Sequence, residues 1–378
     1  MRIALFAALF FAACLPPAAP ASDAGADEVD SGTPAPPDAG SPCDGVQGCA
    51  LAWSESAAYP VDVDHHSTFV ASSAAGDFLY VAGGVKNTGS TLDEVYPQVR
   101  RAKIGADGAL GPWTHCSELP RPMAFHALAQ DGDRVYLMGG ISQDNAGPFA
   151  HDLTLVGKVQ PDGDITWVQS DRRLGTAFIH ATGAVIGRTL YIVGGTGSSH
   201  SPEPLVKMSA LDDSGALGAW ADGPALPQPR SHHAAVVREG RIFVMGGFDA
   251  IQEPHRDVLR STHDASGALT GWARAGELES SPWTAGAFTF GQHLFLVGGG
   301  EGGSGTEHYV DRVRAARLYE NGTLAPFVEL APLPQARSHV HQAPQFNGHV
   351  YSVGGRLQPN LTSMGRVFIG GLTNGTTN

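Results

Sequence analysis

The segment His233-Ala-Ala-Val-Val-Arg-Glu-Gly-Arg-Ile-Phe-Val-Met-Gly-Gly247 decides how this chain folds. A short run opening on histidine and small residues passes through a Gly turn into the apolar stretch Ile242–Met245. That stretch stops at two adjacent glycines. The pattern reads as two antiparallel strands ending where only glycine is tolerated, through crowding or positive φ.

The same punctuation recurs along the chain. Gly-Gly pairs stand at 83/84, 139/140, 194/195, 246/247, 298/299 and 354/355, with spacings of 56, 55, 52, 52 and 56. Three residues before each pair sits an aromatic: Tyr80, Tyr136, Tyr191, Phe243, Phe295 and Tyr351. A second aromatic precedes each pair by 26–30 residues: Trp53, Trp113, Trp167, Trp220, Trp272 and Phe327. Six matches at three positions exclude coincidence and identify a repeat architecture. After each pair comes a polar loop, then a third alternating strand such as Asp311-Arg-Val-Arg-Ala315. A turn of the type Asp107-Gly-Ala-Leu-Gly111 then leads into the Trp-bearing strand.

This Gly-Gly, Tyr, Trp pattern resembles the Kelch repeat, whose units form the blades of β-propellers, and it covers about residues 50–371. The resemblance implies an all-β, six-bladed Kelch-type β-propeller; it says nothing specific about function. The first repeat opens with the Trp53 strand alone, and the last ends after Gly365-Arg-Val-Phe-Ile-Gly370 with no Trp strand. The N-terminal Trp53 strand is therefore expected to complete the last blade and close the ring.

Composition fits this reading and narrows the partners. Glycine contributes 49 of 378 residues and charged residues only 16%, suited to short strands and tight turns rather than long helices. Repeats escape the usual limit of about 250–300 residues on a single core, because each unit packs on its neighbours. A net charge of −13 argues against nucleic acid and against an anionic membrane surface as partners. Contact with a membrane is expected only through a lipid anchor, and the propeller is expected to be monomeric.

Arg2 and the apolar run Ile3–Ala13 have the make-up of a signal peptide, residues 1–14. Phe11-Ala-Ala-Cys14 resembles a bacterial lipobox, which would make Cys14 the lipidation site of an outer-membrane-anchored lipoprotein. Cleavage after Ala19-Pro-Ala21 would instead give a secreted or periplasmic protein. Either places the chain outside the cytoplasm. Residues 15–44, rich in Ala, Pro and Asp, cannot bury a core and read as a disordered tether before the propeller at 45–378. Cys43 and Cys49 flank a short loop and are expected to form a disulfide; Cys116 is left over, with pairing to either as the alternative.

First strands of propeller blades line the channel. Thirteen or fourteen residues before the Gly pairs stand His126, His180, His233 and His341, with Val70 and Ala285 in the other two blades. Just upstream lie Arg121, Arg173, Arg230 and Arg337. These eight residues are the candidate ligand-binding set: arginine for an anion, histidine for proton transfer or a metal. The competing reading is that they serve the repeat by hydrogen-bonding neighbouring strands. Residues that break the repeat lie in the loops after the Gly pairs: Asp93 and Glu94; Asp144, His151 and Asp152; His200; His255, Arg256 and Asp257; Glu301, Glu307, His308 and Asp311. Asp62-Val-Asp64-His65-His66 is dense in potential metal ligands, but strand alternation would split it across two faces. No metal or cofactor is expected, and no GxSxG, P-loop or HExxH pattern supports catalysis.

Two functions follow. The first is a protein- or glycan-binding module at the cell envelope, working through its loop face. The alternative rests on resemblance to six-bladed Kelch-type sialic acid mutarotases. It implies a carbohydrate mutarotase or epimerase acting on an acidic sugar at the channel mouth.

Overall fold

The computed structural model describes residues 50–373 apart from 198–200, 250–252 and 304. The expected signal peptide, Cys14, the tether at 15–44 and the Cys43–Cys49 pair all lie outside the described residues, as does His200. The described chain is all-β, with six four-stranded antiparallel sheets arranged as the blades of a propeller. No helix among the described residues is long and apolar enough to cross a membrane.

Blade 1 contains the strands Ser67–Ser73, Gly76–Ala82, Val99–Ile104 and Leu110–His115. Four further blades repeat that order along the chain, beginning at Ala127, Thr182, Ala234 and Gly286. The sixth sheet is assembled from both ends of the described chain. Gln345–Phe346, His349–Val353 and Val367–Thr373 are joined by Ala50–Ser56, which pairs antiparallel with the last of these from Ala50↔Thr373 to Ser56↔Val367. Trp53 thus sits on the outermost strand of blade 6 and donates its indole N–H to the Ala331 carbonyl of the preceding blade at 3.1 Å.

Apolar side chains on the strand faces fill the spaces between blades. Each cluster draws on two adjacent sheets: Phe69, Tyr80 and Val99 of blade 1 pack with Val135, Leu137 and Leu155 of blade 2. Three of the four repeat tyrosines bridge blades with their hydroxyls: Tyr80 donates to Gly163 O, Tyr136 to Gly215 O and Tyr351 to Gly108 O, at 2.8–3.0 Å.

The Gly pairs are a second set of inter-blade joints. Both glycines of every pair have positive φ. The second glycine donates its N–H to a carbonyl of the adjoining connection, as in Gly84 to Met123, Gly140 to Phe178 and Gly355 to Val63. A Cβ on Gly139 would lie 2.6 Å from the Phe178 carbonyl oxygen, so no side chain fits.

The residue after each pair bridges back to the start of its own blade. The six bridges are Asp64↔Val85, Ala124↔Ile141, Ile179↔Thr196, Ser231↔Phe248, Trp283↔Gly300 and Ser338↔Arg356. One residue beyond each bridge the chain turns through positive φ at the propeller axis. Those six residues are His65, Phe125, His180, His232, Thr284 and His339.

Candidate functional site

The six axial residues are tied into a ring. Phe125 N–H donates to His65 O, His180 to Phe125 O, His232 to His180 O and Thr284 to His232 O, at 2.6–3.2 Å. His339 N–H donates instead to the Thr284 hydroxyl at 3.1 Å, and His65 N–H to His339 O at 3.2 Å. The backbone ring holds the side chains against one another at the end of the channel shared with the loops after the Gly pairs. His65 stacks on Phe125 with centroids 3.9 Å apart, and His180 stacks on His232 at 3.6 Å.

Blade 6 departs from the pattern. Its innermost strand is only Gln345–Phe346, and the irregular chain before it takes a second positive φ at His341. His341 thereby joins the axial group, 5.1 Å from His65 and 6.0 Å from His180 between ring centroids. One ring nitrogen from each of His65, His180 and His341 lies within 4.8 Å of the others. A cavity of about 20 Å³ lined by His65, His66, Phe125, His126, His180 and His341 adjoins them. Burial, the main cause, holds His65 and His180 well below the ordinary imidazole range, and brings His341 down to about 4.

Of the eight residues expected to bind ligand, the structure brings His180 and His341 to this centre and His126 to its wall. His126 and His233 each sit one residue past the axis and reach the preceding blade. His126 Nε2 meets the Ser67 hydroxyl at 2.8 Å, and His233 Nε2 meets Thr182 Oγ1 at 2.7 Å. The arginines lie further out. Arg230, wholly buried, donates to Gly246 O and to both carboxylate oxygens of Asp257 at 2.7 and 2.9 Å. Arg337, equally buried, donates to Gly354 O and Arg366 O and lies 4.1 Å above the Phe368 ring. Arg173 pairs with Asp152, and Arg121 donates to Gln169 Oε1 at 3.1 Å. Arg230 and Arg337 therefore brace the Gly pairs of their own blades.

Several polar residues of the loops point inward too. Asp257 and Asp152 are the partners of Arg230 and Arg173. Glu301 is buried among Ser280, Arg312 and Arg314. His151 is buried, its pKa lowered to about 4 chiefly by desolvation. Cys116 is a buried free thiol, pushed up to about 12 by the same cause. Asp93 and Glu94 stand exposed on one hairpin, and Asp144 on the next.

Two site residues escaped the count back from the Gly pairs. In blade 1 the inner hairpin has seven-residue strands where the next blade has five. The count therefore lands on Val70 and misses His65 and His66. Residues 62–66 form a turn rather than a strand, so alternation does not separate Asp64 from His65. Asp64, fully buried, contacts His65 Nδ1 and accepts from Asn87 Nδ2 at 2.9 Å, Ser363 Oγ at 2.5 Å and Arg356 Nε at 3.3 Å. The density of ligand types at 62–66 was the available signal.

Above the channel mouth the loops after four Gly pairs form small two-stranded hairpins. Their strands are Val85–Thr88 with Thr91–Val95, Ile141–Asp144 with Gly147–Ala150, Gly300–Glu301 with His308–Tyr309, and Arg356–Leu357 with Thr362–Ser363. They belong to blades 1, 2, 5 and 6, which are contiguous around the ring, and they are cross-braced. Asn87 N–H donates to Ser363 Oγ at 2.7 Å, Val95 N–H to Gln143 Oε1 at 3.0 Å and Tyr309 N–H to Gln358 Oε1 at 2.8 Å.

A family model of the Kelch motif matches residues 229–260, the repeat that holds Arg230, His233 and the fourth Gly pair. Kelch-like protein 38 of Mus musculus is 23% identical over 290 residues, which are 75% of this chain and 43% of that protein. Beta-scruin of Limulus polyphemus is 25% identical over 55% of this chain and 23% of its own length. The chain thus spans less than half the length of these curated relatives. Among solved structures, the structure of YjhT superimposes with a TM-score of 0.62 at 15% identity, over 82% of this chain and 95% of that one. Blade order, Gly-pair joints and these likenesses agree: the chain is a six-bladed β-propeller that carries a Kelch motif at residues 229–260 and is similar to Kelch-type propellers.

Proposed function

We propose that this propeller is an exported, lipid-anchored protein-binding module of the cell envelope that engages its partner through the hairpin arc at the channel mouth. The observation that carries the reading is the bracing of that arc. Four hairpins on contiguous blades are held to one another by side-chain bonds to backbone N–H groups, so their exposed tips form a pre-organised surface. Rigid presentation lowers the entropic cost of association, and variable loops on a fixed scaffold are where propellers vary their contacts. Export rests on the make-up of residues 1–14 and anchoring on Cys14; a glycan is the alternative occupant of the same face. The sugar-enzyme alternative has less support, because Arg230 and Arg337 are wholly buried and turned onto backbone carbonyls, with Asp257 beside Arg230.

The test is a photo-crosslinking side chain placed at Glu94, Asn145 or Asn360 on the hairpins, and at Asp213 in a turn on the opposite face. Cells carrying each variant are irradiated and the envelope fraction resolved. A discrete protein adduct from the hairpin positions and none from Asp213 supports the reading. No adduct, or equal labelling of both faces, overturns it. Cys14→Ser should release the chain from the membrane fraction, and retention there would remove the anchor.

A further inference from the structure

The axial histidines present an unusual imbalance. His180 is 4% exposed, yet neither ring nitrogen has a hydrogen-bond partner; His65 Nε2 and His341 Nε2 are likewise shielded and unpartnered. Buried polar atoms are nearly always bonded, and leaving one unsatisfied costs about 1–3 kcal/mol. Here one ring nitrogen from each of these three histidines, on three separate blades, lies within 4.8 Å of the others. Strand packing does not require this, since Phe125 and Thr284 occupy the same ring position in other blades.

The protonation pattern is fixed by the surroundings. Asp64 accepts from His65 Nδ1, which assigns the proton there and leaves the Nε2 lone pair without a partner. Asp64 is itself locked by Asn87, Ser363 and Arg356. A carboxylate behind one histidine nitrogen, with the other free, is the arrangement that orients imidazoles toward metals. Three neutral imidazoles in a desolvated pocket suit zinc, copper or nickel and suit hard, oxygen-seeking cations poorly.

We propose that His65, His180 and His341 form a three-histidine site for a divalent d-block cation of the zinc class, with Asp64 as the positioning residue behind His65. Tetrahedral coordination at about 2.0–2.1 Å per nitrogen brings ligand atoms to about 3.3 Å apart, so separations of up to 4.8 Å need shorten by at most about 1.5 Å. Three protein ligands leave one coordination position for water or for an atom of whatever the hairpin arc holds. His339 Nδ1, also unpartnered, lies on the same ring of residues.

The experiment uses the full chain, purified without a polyhistidine tag and stripped with a chelator, then titrated with Co²⁺ followed by its d–d absorption and with Zn²⁺ by calorimetry. One equivalent with a nitrogen-rich tetrahedral spectrum is expected. Asn tolerates positive φ, so His65→Asn, His180→Asn and His341→Asn keep the ring while deleting each ligand. Each should weaken binding by at least about 100-fold, and Asp64→Asn by about 10–100-fold. His308→Ala, an exposed histidine on a hairpin, should leave affinity unchanged. Absence of a stoichiometric Co²⁺ band overturns the proposal, as does a band that survives His180→Asn and His341→Asn. If His180→Asn does not fold, His341→Asn at its partly exposed position decides. Crosslinking from the hairpins is independent of metal, so the two readings fail separately.

Discussion

His232 and His233 are neighbours in sequence and opposites in employment. His233 reaches back to the Thr182 hydroxyl of the preceding blade, whereas His232 stands in the axial ring, stacked on His180. The contrast extends around the molecule. Arg230, Arg337, His126, His233 and the Gly pairs join blade to blade or brace their own sheets. His65, His180 and His341 face the axis with nitrogens that no protein group satisfies. Residues that serve the repeat hold the propeller together; those that depart from it are free for other chemistry. Stability and ligand binding should therefore respond to different substitutions.

The largest effect is expected from the outermost strand of blade 6. A chain beginning at residue 60 lacks Ala50–Ser56, leaving Val367–Thr373 an open edge and removing Leu51 and Trp53 from their cluster. The loss should exceed about 5 kcal/mol, a large part of a domain's stability. The measurement is thermal unfolding followed by circular dichroism. A cooperative transition within a few degrees of the parent would show that the strand is dispensable. Next comes Arg230→Met, which strands the Gly246 carbonyl and leaves Asp257 without its cation. Removing one partner of a buried pair costs about 3–5 kcal/mol, read as a shift in urea midpoint. A shift under about 1 kcal/mol would mean the arginine is not a brace.

The pH dependence isolates the latches. Burial chiefly, with smaller contributions from His151, His66 and His341, lowers His126 to about 3. Burial, then Arg230, His255 and His341, does the same to His233. Both folded values lie below the unfolded value near 6.5, so between pH 6.5 and 3 the unfolded chain binds more protons. Stability is full above pH 6.5 and falls as the solution is acidified. At pH 5 each latch should cost about 2 kcal/mol, and a His126→Gln, His233→Gln double variant should show a correspondingly shallower decline from pH 8 to pH 5. An unchanged slope would place the acid sensitivity elsewhere.

How much of this was legible depended on which residues obey the period. Six Gly pairs with aromatics at fixed offsets specified blades and strand order, because each is a local requirement repeated six times. The arginines could be placed near the Gly pairs but not oriented: nothing in Arg230 says that its donors go to Gly246 and Asp257 rather than to the channel. Counting back from the Gly pairs found His180 and His341 but passed over His65, because two extra residues in each strand of the first hairpin displace the register by four. The bend at 62–66 also defeats a strand-alternation argument, since positive φ at His65 turns Asp64 and His65 toward one another. The hairpin arc is a tertiary property; Asn87, Gln143 and Gln358 brace neighbours that lie far away in sequence.

The smallest effect sharpens the comparison most, because it applies one substitution to both classes. His233→Asn removes a buried ring and its bond to the half-buried Thr182 hydroxyl, at an expected cost of about 1–3 kcal/mol. His341→Asn deletes a ring whose Nε2 bonds to nothing in the protein, at a backbone position of φ 60° that asparagine adopts readily. Lost ring packing and the removal of an unsatisfied nitrogen act in opposite directions, so the metal-free protein should change by less than about 1 kcal/mol. Urea titration of both variants in chelator makes the measurement. Equal destabilisation would place His341 among the struts of the fold. A near-silent His341→Asn beside a costly His233→Asn would show that evolution of the repeat left this imidazole outside the stability of the propeller, where a ligand rather than a neighbouring blade gives it a partner.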